Sequence, residues 1–432
     1  MSPHAVPVAT KNPGGPSVDL TEFAVTRNAF LPECSPLQKL SDPYYRPWEA
    51  IARRLPSLLE TDTLRHAVAE LPVLSTARLG SDAEWRRAYV MLAFIANAHV
   101  WGGDEPEEVL PPQISRPLLD AAAYLELPPV LTFAAAALWN FTCSGDDMSR
   151  IDDLSLLFSF TGTESESWFY LISVAMEAKA ANMVNRMMGA LAAVKTRDYP
   201  AITEALRELC RCIDDLGILL NRMYEKCDPL VFYHEIRPLL AGSRNMESAG
   251  LPHGVFYDEG DGEGEWRQLR GGSNGQSSLI QFFDVVLGVE HEGHGDKSSY
   301  HAEMREYMPG PHRRFLVHAE RMGSIRELAL GPQTTDEQRQ LNAAYVAATQ
   351  ALGGFRNRHL QIVARYIIIP SKQAAPPASP GSRWRQNLAS SCSAQQVDDG
   401  LRGTGGTRLL PFLKAARDET CRAGTGSSAI RR

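Results

Sequence analysis

Long apolar runs are missing from this 432-residue sequence. The nearest candidate, Pro128 to Trp139, opens on paired prolines and falls short of the roughly 20 residues that a membrane-spanning helix needs, so no membrane anchor is expected. Excess positive charge is missing too. The 44 Lys and Arg stand against 51 Asp and Glu, a formal net charge of −7, which gives no basic field for phosphate backbones and makes nucleic acid an unexpected partner. Met1 to Val18 is rich in Pro, Gly and small residues and lacks the charged-then-apolar layout of a secretion signal, so it reads as a loose arm on a cytoplasmic protein. The seven cysteines (Cys34, Cys143, Cys210, Cys212, Cys227, Cys392, Cys421) are odd in number, scattered and without CxxC pairs, which argues for reduced thiols rather than a structural zinc site. Cys210 and Cys212, two apart in a helical pattern, point to different faces and do not form a redox pair. No strand-like run carries GxSxG, so hydrolase chemistry has no support.

What is present is mostly helix signal. Hydrophobic residues make up 44% and charged residues 22%, ordinary globular values for a chain long enough to form two to three units. Glu84 to His99 spaces its large apolar residues at threes and fours. Trp168 to Val194 is apolar almost all round, interrupted chiefly by Glu177, Lys179, Asn182, Asn185 and Arg186, which predicts an enclosed helix. Ala201 to Cys227 is amphipathic, and helical signal returns at Ser277 to Leu287, Tyr300 to Met322 and Asp336 to Ile369. The polar run Thr161 to Ser167 is the candidate linker. Ala241 to Asn274, dominated by Gly, Asp, Glu and Ser, predicts a long excursion of loops with little regular structure. A tract rich in Ser, Pro, Ala and Gln, near residues 373–402, is expected to be disordered, after which Leu409, Leu410, Phe412 and Leu413 suggest a short segment docking back onto the body.

Several residues could carry chemistry. Phe355, His359, Ile362, Val363 and Tyr366 recur at helical spacing and place His359 on an apolar face. Two readings stand: a core histidine bonded to a backbone carbonyl, or a neutral imidazole ligating haem iron from one side. Arg356, one turn earlier, suits a haem propionate better than Arg358 does, the alternative being two solvated arginines. Arg237 lies in the apolar run Leu230 to Leu240 and needs an anion, either a structural carboxylate or that of an amino-acid substrate. The Gly-rich turn Gly271 to Ser278 lacks the P-loop Lys, leaving an ordinary flexible turn or close backbone approach to a flat ligand. His291, Glu292, Gly293 and His294 look metallic, but the spacing is not HExxH and a solvated loop is the simpler reading.

Four motifs in order, GGSNGQSS (Gly271 to Ser278), MREYMPGPHRRFL (Met304 to Leu316), RNRHLQIVARYIIIP (Arg356 to Pro370) and GTGGT (Gly403 to Thr407), resemble those of indoleamine 2,3-dioxygenases. The resemblance is strongest from about Leu127 to Pro370 and resumes at Gly403 to Lys414. It implies a mainly α fold, with a small mixed, mostly helical N-terminal domain (1–160) covering a large all-helical domain (161–432) that holds haem b. It also implies His359 as the proximal iron ligand, with Arg356 and Asp284 at a haem propionate or in the haem-side network. Gly272, Ser273 and Asn274 would lie along the cofactor. Phe169, Ser173 and Phe133 would line the distal pocket, Phe232 would pack on the indole, and Arg237 would pair with the substrate carboxylate. Thr404 would close over the substrate. Phe133 and Ala136 replace a tyrosine and a cysteine often found in the family, and Asn274 replaces a small alanine. The implied activity is insertion of both atoms of O2 across the indole C2–C3 bond of L-tryptophan to give N-formylkynurenine, the first step of the kynurenine pathway, with an external electron donor keeping the iron reduced. The competing classes are a haem-binding sensor or scaffold, which would show no tryptophan-dependent oxygen consumption, and a haem-free helical interaction protein, which would show no Soret band.

Overall fold

Helix dominates wherever the sequence repeats at threes and fours. The computed structural model describes residues 20–291, 299–373 and 409–425; the loose arm, the 374–402 part of the tract expected to be disordered, His294 and the GTGGT segment with Thr404 lie outside them. Of the described residues, 64% are helix and 6% strand, a mainly α fold. The longer helices are α1 (Asp82–Trp101), α2 (Pro112–Tyr124), α3 (Glu164–Lys179), α4 (Ala181–Ala193), α5 (Tyr199–Asn221), α6 (Ser278–Leu287), α7 (Gly310–Met322), α8 (Asp336–Val363) and α9 (Leu409–Thr425). Among the described residues, none is long and apolar enough to cross a membrane.

Short polar side chains set the helix starts. Ser81, Thr163, Asp198, Ser277 and Thr335 accept backbone N–H bonds at the starts of α1, α3, α5, α6 and α8, and Thr335 with Gln338 forms a reciprocal capping box. The run Thr161 to Ser167, expected to be a linker, is instead largely the first turn of α3. Glu166 folds back so that its carboxylate accepts the N–H groups of Phe160 and Thr161 at 2.8 and 2.7 Å and the Thr161 hydroxyl at 2.7 Å. The enclosed helix read over Trp168 to Val194 is two, broken at Ala180. Ala201 to Cys227 behaves as its stripe predicts: Ile202, Leu206, Leu209, Ile213, Leu216 and Leu220 are buried along α5.

A larger departure lies in Ala241 to Asn274. β4 (Val255–Gly260) and β5 (Glu263–Arg267) form an antiparallel hairpin, and β1 (Val109–Leu110) pairs parallel to β4, with Val109 opposite Phe256. Val255 and Tyr257 are the buried residues of this hairpin, so its apolar signal is confined to alternate positions of one short strand and the acidic, Gly-rich composition hides it. A second hairpin, β2 (Phe141–Cys143) with β3 (Leu154–Leu156), precedes α3.

Among the described residues, three helical turns are π rather than α: Ala134–Leu138, Phe232–Ile236 and Ala364–Ile368, each closed by an N–H reaching back five residues (Trp139 to Ala134, Arg237 to Phe232, Ile369 to Ala364). One hydrophobic core runs from Leu20 through Ala423. Within it α8 packs on α5 and, on another side, on α9. Gly353 meets Cys421 and Gly424 meets Thr349, so small residues let α8 and α9 approach closely. The docked C-terminal segment is therefore a full helix, longer than the four apolar residues of its first turn suggest.

Candidate active site

All three π turns border one cavity of about 270 Å³. Ala136 and Ala137 come from the first, Phe232 from the second, Tyr366 and Ile367 from the third. α3 contributes Phe169, Ser173 and Glu177, which lie four residues apart and so share a face. α8 contributes Phe355, Arg356, His359, Ile362 and Val363. The residues singled out from sequence thus converge: Phe133, Phe169, Ser173, Phe232, Arg237, Gly272, Ser273, Asn274, Arg356 and His359 all line this space. Asp284 stands behind it, and Thr404 lies outside the described residues.

His359 is half-buried and makes no hydrogen bond within the described residues, which leaves the imidazole without the carbonyl partner that a core histidine requires. Burial, reinforced by the Arg356 charge, holds its pKa down to about 4, so the ring is neutral at pH 7 and its lone pair is available. Aromatic contacts line the same cavity: Phe169 and Phe232 are 4.8 Å apart between ring centroids, and Phe232 meets Tyr366 edge-on at 5.9 Å. The Tyr366 hydroxyl donates to the carbonyls of Met223 (2.8 Å) and Cys227 (3.0 Å), which fixes that ring. Arg237 is 5% exposed, in the one-turn helix after Phe232–Ile236, with its guanidinium carbon 5.6 Å from the Tyr233 ring centroid. Burial lowers its pKa, an effect that Tyr233 partly offsets.

The Gly-rich segment has a packing role of its own. A side chain at Gly271 would strike the backbone at Leu240 to Gly242, and one at Gly242 would strike Arg270 and Gly271, so both glycines are needed where these strands of chain meet. Gln276 locks the contact: its Oε1 accepts from the Phe133 N–H at 2.8 Å and its Nε2 donates to the Gly271 carbonyl at 2.9 Å. In the sequence Gln276 reads only as part of the Gly-rich turn and Gly242 goes unmarked, because Phe133 lies 143 positions from Gln276 and the chain that meets Gly242 is also distant in sequence. Ser273 Oγ accepts from the Gly275 N–H (3.2 Å) and bonds the Tyr300 hydroxyl (3.3 Å), holding the turn at the cavity edge.

Arg356 does not stand free for a propionate. Its Nη2 bridges both oxygens of Asp284 (2.8 and 2.7 Å), and its Nη1 donates to the Ala416 carbonyl and the Thr420 hydroxyl of α9. Burial pushes the Asp284 pKa up, but Arg356 and His291 more than offset it and hold the carboxylate well below its usual range. Arg358, read as solvated, is partly buried and lies against Gly217 of α5. His291, read as part of a solvated loop, is clamped instead: Nε2 faces Asp284 at 3.1 Å, Nδ1 faces Glu419 of α9 at 2.6 Å, and the ring stacks on His301 at 3.6 Å. α9 covers this loop, and a helix docked from 128 positions away leaves no mark on the local composition.

A ring bonded to carboxylates at both nitrogens is an imidazolium clamp. Burial lowers the His291 pKa, yet the bonds to Asp284 and Glu419 raise it overall. The stability it contributes is therefore complete below the unfolded imidazole value of about 6.5 and is lost as pH rises through the higher folded value. Urea unfolding across pH 6 to 9 should show this decline, and His291→Ala should flatten it while costing about 1–3 kcal/mol at pH 6. An equal slope in the variant would place the titrating group elsewhere.

The cavity fits a haem: His359 offers a neutral imidazole bonded to no other group among the described residues, the walls are apolar, and a Gly-rich edge carries hydroxyl and amide groups, while the other neutral imidazole of the lining, His301, is stacked on His291. Known proteins resemble this chain over most of its length. The family model described as "Indoleamine 2,3-dioxygenase" matches residues 19–423. An indoleamine 2,3-dioxygenase of Aspergillus nanangensis is 40% identical over 94% of this chain and 97% of its own. That of Saccharomyces cerevisiae is 40% identical over 91% and 90%. A 6-hydroxytryptophan 2,3-dioxygenase of Fusarium equiseti is 38% identical over 90% and 94%. With family-wide similarity over nearly the whole length and a cavity built from the motif residues, the chain belongs to the indoleamine 2,3-dioxygenase family of oxidoreductases.

Proposed function

We propose that this protein is a haem b-dependent dioxygenase that converts L-tryptophan and O2 into N-formylkynurenine, the opening step of the kynurenine pathway. The observation that carries the proposal is an unbonded neutral His359 in the same apolar cavity as the buried Arg237. Haem, when bound, supplies the reduced iron that activates O2. His359 would hold it from one side, and Arg356 would act through Asp284 as a support to that side rather than as a direct propionate partner.

The remaining residues position. Phe169, Phe232 and Phe133 offer flat apolar surface to an indole and exclude water from it. Arg237 would pair with the carboxylate of the free amino acid. The Ser173 hydroxyl lies one turn from Phe169 at the cavity wall. In the reaction the indole C2–C3 bond and the O–O bond break and two carbonyl groups form, so no electron is consumed per turnover. An external donor is needed only to bring ferric iron to the ferrous state. Residues 1–160 would act as the cover, supplying Phe133, Ala136 and Ala137.

The test uses reduced, haem-loaded protein, L-tryptophan and isotopically labelled O2, with the product followed by mass. N-formylkynurenine carrying two labelled oxygens is the expected result. Bound ferrous haem without product would place the chain among haem sensors or scaffolds. Running 6-hydroxytryptophan beside L-tryptophan would compare this site with that of the relative named for that substrate.

A further inference from the structure

One cavity group has no part in the scheme above. Glu177, one turn beyond Ser173 on α3, is 2% exposed and is among the residues that line the cavity. Oε1 accepts a hydrogen bond from the Ser277 hydroxyl at 2.8 Å, while Oε2 is buried without a hydrogen-bond partner. Ser277 Oγ also accepts the Ile280 N–H at 3.3 Å as the cap of α6, so its own proton is committed to Glu177 Oε1. A proton on Glu177 therefore resides on Oε2, the oxygen that has no other partner.

Among the described residues, no cation offsets this carboxyl. Arg356 is taken up by Asp284 and α9, His359 is neutral, His301 is held down to about 3 by burial and by the neighbouring His291 charge, and Tyr300 is pushed up by burial. None of these, nor Arg237, is bonded to Glu177. Burial alone drives the carboxyl up to about 7 against the Ser277 bond, so it exchanges its proton near neutrality. An added negative charge in a poorly screened cavity favours protonation of the nearest carboxyl that can accept a proton.

We propose that Glu177 takes up a proton when the haem iron is reduced from ferric to ferrous, keeping the charge of the cavity unchanged. This rests on the haem reading above. An external one-electron donor supplies the electron to the iron, solvent supplies the proton to Glu177 Oε2, and both are returned on reoxidation. Glu177 is thus a redox-linked proton site, not a group that touches the indole.

The test is a spectroelectrochemical titration of the full-length haem-loaded chain between pH 6 and 8.5, with wild type beside Glu177→Gln. The wild-type midpoint should fall with pH around neutrality, approaching a tenfold change in the reduction equilibrium per pH unit, about 59 mV for one electron. Glu177→Gln should be flat over the same range. A variant that keeps the wild-type dependence, or a wild type without any, overturns the proposal. Ser277→Ala gives a second arm should Glu177→Gln fail to load haem. Loss of the one bond that favours the charged form should move the pH-dependent segment to higher pH, and an unmoved segment also overturns the proposal. Failure of the wild type to show a Soret band would instead sink the haem reading itself.

Discussion

His359→Ala is expected to fold and to lose stable haem. The imidazole bonds no other group within the described residues, so its removal breaks no hydrogen bond and leaves α8 packed on α5 and α9. If the ring ligates iron, however, the variant loses the ligand itself. Losses at supporting groups alone typically cost 10–100-fold in metal affinity, so haem retention should fall by more than about 100-fold. The measurement is Soret absorbance after desalting, beside far-ultraviolet circular dichroism to show intact helix. Imidazole added to the variant should restore part of the band. Wild-type haem content in His359→Ala would return this residue to the ordinary core histidines.

Arg237→Ala should leave haem in place and weaken tryptophan binding severely. Truncating one partner of a buried, hydrogen-bonded charge pair costs about 2–5 kcal/mol, a loss of roughly 30- to several thousand-fold. That loss should fall on kcat/KM for tryptophan and be far smaller for indole analogues without a carboxylate, because only the former presents the anion. Arg237→Lys should rescue little, since an ammonium cannot reproduce the two parallel bonds of the guanidinium fork. An unchanged Michaelis constant in Arg237→Ala would remove this residue from the substrate site.

Local periodicity made the middle of the site legible. Phe355, His359 and Ile362 share a face because α8 is regular there, and Phe169 and Ser173 share one on α3 for the same reason. Glu177 sat in plain view as a polar interruption, yet nothing local distinguishes a solvated carboxylate from one enclosed by the Gly-rich segment a hundred positions later. The clamp of Asp284, His291 and Glu419 was hidden likewise, since α9 returns from far along the chain. The β4–β5 hairpin failed for another reason: its few buried residues were outvoted by Gly, Asp and Glu on its open face. The linker expected at Thr161 to Ser167 mistook capping chemistry for flexibility, because the Ser, Thr and Glu residues that satisfy a helix start also populate loops.

The π turns impose a constraint of a different kind, on chain length rather than on residue identity. Each accommodates one residue more than an α-helical path would, and an α-helix turns about 100° per residue. Deleting a single residue from Ala364–Ile368 would let α8 run on unbroken and swing the following positions about a quarter turn around the helix. Tyr366 would then lose its two carbonyl partners. The same holds for Ala134–Leu138 and Phe232–Ile236, so three walls of the cavity depend on residue count. Substitutions within these turns can be absorbed one side chain at a time, but a one-residue deletion re-aims everything beyond it.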